Sequence, residues 1–397
     1  MIPTVPVYLD YNATTPCDPR VVEAMIPFFT QQFGNASSRN HVYGWQAEEA
    51  VSIAREQVAH LIGAEPNEIV FTSGATEAVN LALKGVVESY RIKGKHIITC
   101  QTEHKAVLDT CRHLEKAGAE ITYLPVDHKG MLTSEQVEEA IRPDTILVAV
   151  MLANNETGVL QPIQEIARVA RKNQVLFFTD ATQAVGKIPV RVSDQEIDLM
   201  AFSAHKLYGP KGTGALYVRR RQPRVKLIAQ IDGGGHEKGL RSGTLNVPGI
   251  VGLGKACALC EQEMITEMTR LKELRDRLEE RLLVLEESYR NGNPDSRLPH
   301  VIHMSFSHVE AEPLLMELGR TLALSSGSAC SSASLEPSHV LKAMGLSKDT
   351  AHSSVRISLG RFTTAEEVDF AAERIMESVA RIRKESPLWA SYKQEQR

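Results

Sequence analysis

The feature that most constrains the fold is an alternation of short apolar runs with helix-like segments, which starts near residue 68. "EIVFTSG" precedes "ATEAVNLALKGV", "KHIITC" precedes "HKAVLDTCRHL", and "TILVAVML" precedes "PIQEIARVARK", before "VLFFTD" follows. Continuous apolar strands separated by helices predict a parallel sheet that helices cover on both faces. We therefore predict an α/β fold with a mainly parallel sheet.

The chain has a second part of different texture. Its 397 residues exceed the roughly 250–300 at which one hydrophobic core stops growing. Apolar residues three or four positions apart predict a long amphipathic helix, which "NGNP" at 291–294 would end; they are Met264, Met268, Leu271, Leu274, Leu278, Leu282 and Leu285. We predict a large domain of residues 14–262 and a smaller α+β domain of residues 1–13 and 263–397, with a frayed C-terminal end "SYKQEQR".

Charge and composition exclude several classes of function. The net charge is −4, so no basic field indicates a nucleic-acid or membrane partner. The start "MIPTVPVYLD" has no signal-peptide pattern, and the apolar run from Ile146 to Ala153 is far shorter than the ~20 residues of a membrane span. Six cysteines in so long a chain do not suggest a disulfide scaffold. We expect a reduced, cytoplasmic protein.

Polar side chains follow the predicted strands, where ligands bind in such sheets. Lys206 follows "DLMAFSAH", and a lysine in this place can be desolvated, which lowers the pKa of its amine and makes it nucleophilic. A lone lysine is more often a surface residue with a snorkelling stem. Asp180 closes "VLFFTD" and is either a capping or salt-bridged acid or a partner for the protonated ring nitrogen of pyridoxal phosphate (PLP).

The segment "SGAT" at 73–76 lies between a predicted strand and a predicted helix. It could form either a phosphate site or a plain helix cap. Backbone N–H groups and the Thr76 hydroxyl would meet an anion there, and Ser203 and His205 could add donors. Neither "GPKGTG" nor "GGGHEKG" matches the dinucleotide pattern. No H-E-x-x-H exists, and "CALC" has no second CxxC, so no metal site is expected.

Cys330 lies in "SSGSACSSASLEP" (325–337), among serine, alanine and glycine residues. An ordinary surface linker is the simplest interpretation of this segment. However, a small-residue linker does not need a cysteine, and an exposed thiol is a liability unless it is used. We therefore treat Cys330 as a candidate reactive thiol.

Together these stretches resemble the PLP-dependent cysteine desulfurases of the group that serves iron–sulfur cluster assembly. The resemblance covers almost the whole chain; its motifs are "YLDYNATTP", "FGNASS", "FTSGATEAVNLA", "TEHKAVLDTC", "NNETG", "DATQAVGK", "SAHKLYGPKG", "GGGHEKGLRSGT", "SSGSACSSASLEPSHVL" and "AHSSVRISLGRFT". It implies the aspartate-aminotransferase-like fold (PLP fold type I), a homodimer, and conversion of L-cysteine to L-alanine with the sulfur left on an enzyme thiol.

The resemblance assigns the residues around the cofactor ring. Lys206 is similar to the Schiff-base lysine and Asp180 to the pyridinium partner. His104 resembles the residue that stacks on the ring and takes part in proton transfer. Gln183 would donate a hydrogen bond to the ring oxygen. Asn155 is also expected to contact the cofactor.

The phosphate cradle of the family matches Ala75 (through its backbone), Thr76, Ser203 and His205. Thr244, in "RSGT", resembles the phosphate contact that crosses the dimer interface.

Arg356, in "SVRISL", resembles the arginine that grips the substrate carboxylate together with Asn155. A bidentate guanidinium suits that planar group, although a surface salt bridge would also explain an arginine here. Cys330 is implied as the nucleophile that takes sulfur as a persulfide, and a transient iron–sulfur ligand role for it stays open.

The implied sulfur acceptors are an iron–sulfur scaffold protein and other carriers, including a tRNA-thiolation relay. The tail that ends in "SPLWASYKQEQR" is shorter than that of housekeeping bacterial members, whose tail is implicated in scaffold docking. The alternatives are a selenocysteine lyase or another fold type I lyase or transaminase, and a non-catalytic scaffold. Cys330 argues against the first group and Lys206 against the second.

Overall fold

The computed structural model describes residues 3–326 and 337–396. Its strands are β1 (Val7–Tyr8), β2 (Ile69–Thr72), β3 (His96–Cys100), β4 (Glu120–Leu124), β5 (Thr145–Ala149), β6 (Leu176–Asp180), β7 (Leu199–Ser203), β8 (Gly214–Val218), β9 (Ser288–Arg290), β10 (Val301–Phe306), β11 (Leu322–Ala323), β12 (Ser325–Ser326) and β13 (Ser354–Ser358). Its α-helices are α1 (Pro19–Met25), α2 (Pro27–Thr30), α3 (Val42–Ile62), α4 (Ala75–Tyr90), α5 (Lys105–Lys116), α6 (Ser134–Ala140), α7 (Ile163–Lys172), α8 (Val247–Leu283), α9 (Ala311–Leu318), α10 (His339–Ala343), α11 (Lys348–His352), α12 (Ala365–Glu385) and α13 (Pro387–Glu395).

A seven-stranded sheet forms the centre of the molecule, in the order β2-β8-β7-β6-β5-β3-β4. The strands from β7 to β4 in that order are parallel, as predicted, whereas β8 is antiparallel to both of its neighbours. An antiparallel pair needs no crossover helix, and β7 is joined to β8 by residues 204–213 alone. That connection carries Lys206.

Both faces of this sheet are buried, because successive side chains of a strand point to opposite faces. Ile98 and Phe177 pack into one cluster with residues of α3, α7 and α8. Their neighbours Ile97 and Phe178 pack into a second cluster with residues of α4 and α5. The predicted helix-covered α/β fold is confirmed.

A smaller antiparallel sheet, in the order β12-β13-β10-β9, packs with α9, α12 and the last part of α8 in a third cluster. The N-terminal segment joins it: β1 pairs in parallel with β11, and Val7 and Leu9 are buried in the same cluster. Asp10 continues this contact through a bridge to Ser358.

Helix α8 differs from the predicted helix at both ends. It begins at Val247 rather than near Met264, and it ends at Leu283, before "NGNP". The prediction that "NGNP" ends it was wrong because β9 lies between them and pairs with β10, so sheet pairing overrides the helical pattern. Because α8 packs against both the first and the third cluster, a domain boundary at 262/263 would fall inside one continuous helix and stays a prediction.

The C-terminal residues also differ from their prediction, because α13 is helical as far as Glu395 rather than frayed. The Trp389 ring stacks on Tyr392 with centroids 5.1 Å apart, and the Arg383 guanidinium lies 4.5 Å from the Trp389 ring centroid. The Arg383 contact attaches the last helix to α12. Over the described ranges, none of the helices is long and apolar enough to cross a membrane.

Candidate active site

A cavity of about 590 Å³ lies at the carboxyl ends of the central strands. Ten of the predicted site residues line it: Ala75, Thr76, His104, Asn155, Asp180, Gln183, Ser203, His205, Lys206 and Arg356. Thr244 is exposed and is not among the residues that line the cavity. Cys330 lies outside the described residues.

One end of the cavity suits an anion. Helix α4 begins here after Gly74, and no side chain caps it. The N–H groups of an uncapped first turn and the positive end of the helix dipole attract phosphate. A Cβ on Gly214 of β8 would lie 2.6 Å from the Cα of Gly74, so glycine is needed there for the close approach that places this turn.

His205 lies at the same end and is neutral at pH 7. Burial, together with the charges of Lys206 and Lys211, lowers the pKa of the His205 imidazole to about 4. Nδ1 of His205 lies 3.1 Å from Oγ1 of Thr14. In the tautomer in which Thr14 donates this hydrogen bond, Nε2 carries the proton and can donate to a phosphate oxygen.

Asp180 ends β6 and is only 5% exposed. Its Oδ1 accepts hydrogen bonds from the backbone N–H of Thr182 at 3.0 Å and from the Thr182 hydroxyl at 2.5 Å. Both bonds go to one oxygen, which leaves Oδ2 for a cationic group in the cavity. A carboxylate held in this way suits a protonated ring nitrogen.

Lys206 lies in the short 3₁₀ turn Ala204–Lys206 that follows β7. Its Nζ donates to the backbone carbonyls of Asn12 at 2.5 Å and Ala13 at 2.6 Å. The amine therefore faces the cavity wall and is not the exposed surface lysine that the simplest interpretation allowed.

His104 caps the N-terminus of α5, where its Nδ1 accepts the backbone N–H of Ala106 at 3.1 Å. Because Nδ1 is an acceptor, the proton of the neutral ring lies on Nε2. The cap fixes the ring in the wall of the cavity.

The other end of the cavity carries Arg356, which is only 3% exposed and so is not in a surface salt bridge. Its Nη1 donates to the backbone carbonyl of Asn155 at 2.9 Å, and its Nη2 donates to Oδ1 of Asp10 at 2.8 Å. Its Nε is buried and has no hydrogen-bond partner within the described part of the chain. This end can bind a further acceptor, such as a carboxylate.

Two residues of the N-terminal segment, Asp10 and Asn12, belong to this site and were not predicted individually, although the motif "YLDYNATTP" contains both. Asp10 pairs with Arg356. The buried Asn12 side chain donates to the Asn155 carbonyl at 3.0 Å and accepts from Nε2 of His300 at 3.0 Å. Polar residues directly after the apolar strand β1 were the signal that could have found them.

Two buried acids flank the cavity. Burial, and to a smaller extent the Asp180 carboxylate, raises the pKa of Glu103 well above its usual range. Burial also raises the pKa of Glu156 to about 7, although Ser338 donates a hydrogen bond to Glu156 and Arg356 opposes the shift. Both acids bind protons more readily than exposed glutamates.

The two ends of the segment that contains Cys330 are attached at the Arg356 end of the cavity. On one side, Ser325 lies opposite Arg356 in the β12–β13 pair, and its hydroxyl donates to Asp10 at 3.1 Å. On the other side, Ser338 caps α10 and contacts Glu156. Within the described ranges, no group of three or more metal-ligating side chains comes together.

Comparison with known proteins agrees with this geometry. The class-V aminotransferase family model matches residues 7–370. The chain is 56% identical over 392 residues to "Cysteine desulfurase IscS" of Pectobacterium carotovorum subsp. carotovorum. The aligned residues make up 98% of this chain and 96% of that relative.

Solved structures are similar over nearly the whole chain. A "NIFS-LIKE PROTEIN" has a TM-score of 0.88 at 38% identity, over 95% of this chain and 100% of its own. "SspA in complex with cysteine" has a TM-score of 0.79 at 39% identity, over 90% of this chain and 100% of its own. The chain therefore belongs to the class-V aminotransferase family and, within it, to the cysteine desulfurases.

Proposed function

We propose that this protein is a PLP-dependent cysteine desulfurase that converts L-cysteine to L-alanine and leaves the sulfur on Cys330 as a persulfide. The observation that carries the proposal is one cavity that is lined by an amine, a buried carboxylate, an uncapped helix N-terminus and a buried arginine. The first three groups fit PLP, and the arginine fits the carboxylate of an amino acid.

The cavity residues match the charges of PLP. Lys206 supplies the amine that binds the aldehyde carbon, Asp180 the anion for the ring nitrogen, and the first turn of α4 the donors for the phosphate. Bound in this way, PLP draws electrons from the carbon atoms of an attached amino acid. Ser203, Thr76, Ala75 and His205 would complete the phosphate end, and Gln183, whose Nε2 also donates to the Asn12 carbonyl, would donate a hydrogen bond to the ring oxygen.

We assign proton transfer to two titratable groups that line the cavity, Lys206 and His104. With substrate bound, the Lys206 amine in its neutral form would accept the proton from Cα of the substrate. His104, fixed by its cap on α5, would pack against the cofactor ring and move a proton through Nε2. Asn155 would contact the cofactor and assist Arg356 in orienting the substrate.

Cys330 follows Ser326 by four positions, and four residues of extended chain span about 14 Å at most. Ser325 pairs with Arg356 across an antiparallel ladder, in which opposite Cα atoms are about 5 Å apart. The chain is therefore long enough for the thiol to reach an amino acid held by Arg356. Low-pKa thiolates are the reactive form of cysteine.

In the proposed step, a bond forms between Sγ of Cys330 and Sγ of L-cysteine while the Cβ–Sγ bond of the substrate breaks. The electron pair of that bond stays on carbon, which takes up a proton on the way to L-alanine. The persulfide then passes its outer sulfur to an acceptor, or to an added thiol that releases it as sulfide.

Incubation of the purified holoenzyme with L-cysteine and dithiothreitol tests this function. We expect equal yields of sulfide and L-alanine, none from Lys206→Ala, and L-cysteine binding without alanine release from Cys330→Ser. Cys17→Ser is the matched control because Cys17 is partly exposed and does not line the cavity; it should behave as wild type. A keto acid in place of alanine would identify a transaminase and refute the proposal.

We also propose a homodimer in which Thr244 reaches the phosphate of the other protomer. Support comes from exposed apolar side chains on the first three helices and their connections, among them Phe29 at 62%, Phe33 at 64% and Trp45 at 52% exposure. A monomer in sedimentation equilibrium at micromolar concentration would contradict this proposal.

Acceptors are proposed from the family: an iron–sulfur scaffold protein and other sulfur carriers, with a transient iron–sulfur ligand role for Cys330 still open. A cytoplasmic location is proposed as well. The five cysteines that the structure describes are free thiols, which suits a reducing compartment.

A further inference from the structure

The Arg356 guanidinium already holds one carboxylate before any substrate binds. Its Nη2 donates to Oδ1 of Asp10 at 2.8 Å, and the Asp10 side chain is 17% exposed against 3% for Arg356. A buried cation requires a compensating anion. Asp10 is the acid that forms an ion pair with Arg356 in the described part of the chain.

Asp10 is held in place from several sides. Its Oδ1 also accepts the hydroxyl of Ser325 at 3.1 Å, and its backbone carbonyl accepts the Tyr8 hydroxyl at 3.0 Å. Its backbone forms a parallel bridge with Ser358, two residues after Arg356. The Asp10 carboxylate therefore stays beside the guanidinium and is not a side chain that swings away when a ligand enters.

The guanidinium can nevertheless accept a second carboxylate. It has five N–H groups, of which one on Nη1 serves Asn155 and one on Nη2 serves Asp10. Three N–H groups remain: one on Nη1, one on Nη2, and that of Nε, which is buried and unpartnered over the described residues. A substrate carboxylate on the Nη groups would lie beside Asp10, and like charges so placed repel each other.

We propose that Asp10 is a second carboxylate on Arg356 and that its charge weakens the hold of this arginine on the α-carboxylate of L-cysteine and L-alanine. This inference rests on the proposed function. Asp10 sets the affinity of the substrate end of the cavity and takes no part in the chemical step. The weakened hold favours release of alanine, which keeps the same carboxylate as the substrate.

Asp10→Asn tests the inference, because asparagine keeps the size of the side chain and an acceptor for Nη2 but removes the charge. The measurement is calorimetric titration of the holoenzyme with L-alanine and with L-alaninamide, which has the same shape without the carboxylate. We expect Asp10→Asn to lower the Kd for L-alanine about ten-fold and to leave that for L-alaninamide unchanged. If Asp10 had a structural role alone, Asp10→Asn would weaken the binding of both ligands or change the binding of neither.

Asp369→Asn is the matched control, since Asp369 bridges Arg277 and Arg281 far from the cavity. It should leave both dissociation constants unchanged. Unchanged or weaker L-alanine binding by Asp10→Asn overturns the inference. If the wild type releases no sulfide from L-cysteine while Asp10→Asn still binds L-alanine more tightly, the proposed function fails and the role of Asp10 stands.

Discussion

Replacement of Arg356 by glutamine should remove most of the enzyme's discrimination for an amino acid with a free carboxylate. The Arg356 side chain is 3% exposed, and hydrogen bonds to Asn155 and Asp10 hold its guanidinium group in place. Glutamine at this position would keep one amide donor and lose both the charge and the second parallel hydrogen bond.

The size of the effect follows from the bonds that are lost. A hydrogen bond to a charged group contributes roughly 1.5–3 kcal/mol, and a bidentate carboxylate makes two of them to Arg356. Because one neutral donor remains, we expect a loss of about 3–4 kcal/mol in transition-state binding, or roughly 10²- to 10³-fold in kcat/KM.

The assay is sulfide release from L-cysteine by wild type, Arg356→Gln and Arg356→Lys, each loaded with PLP. Lysine keeps the charge without the fork and should lie between the other two. The visible absorption of bound PLP should be the same in all three, because Arg356 lies at the end of the cavity away from α4. A kcat/KM for Arg356→Gln within ten-fold of wild type would show that another group binds the carboxylate.

Three further predictions concern other parts of the site. Lys206→Ala should lose the yellow colour of bound PLP and all alanine release, as absorption spectra and amino-acid analysis would show; colour that survives in the variant would contradict the assignment. Burial raises the pKa of Glu156 to about 7, so between about pH 4.5 and 7 the folded protein keeps a proton that the unfolded chain has lost. This group should therefore lower the free energy of unfolding of the wild type by about 1 kcal/mol for each pH unit of increase in that range. The thermal midpoint of Glu156→Gln relative to that of the wild type should therefore be higher at pH 7 than at pH 5. The same difference between the two proteins at both pH values would contradict a buried neutral acid at this position. Ser338→Ala removes both the α10 cap and the contact with Glu156 and should lower the stability by about 1 kcal/mol. We expect slower sulfide release and unchanged PLP absorption. A rate of sulfide release equal to that of the wild type would show that Ser338 does not influence Cys330.

Much of the large sheet and of the cavity was predictable, because both depend on local patterns. The strands that end at Asp180 and Ser203 are short apolar runs before polar residues, and parallel strands carry such ends to one edge of the sheet. The cavity gathers the residues that follow them.

Asp10 and Asn12 follow an apolar strand, which is a local signal, but their place beside Arg356 and the cavity depends on long-range contacts that this pattern does not encode. Asp10 meets Arg356 through the pairing of β1 with β11 and the bridge to Ser358. Similarly, the early end of α8 depends on the pairing of β9 with β10, which the helical spacing of its leucines does not encode.

The central claim is that PLP bound at Lys206 allows the Cβ–Sγ bond of L-cysteine to break and that Cys330 takes up the sulfur as a persulfide. Its most direct test is mass spectrometry of the peptide that contains Cys330 after a single turnover with L-cysteine and no added thiol. We predict one additional sulfur atom on Cys330 in the wild type, in equal amount to the L-alanine formed, and none in Lys206→Ala. Alanine formed with Cys330 unmodified, or with the extra sulfur on another cysteine, would contradict the account.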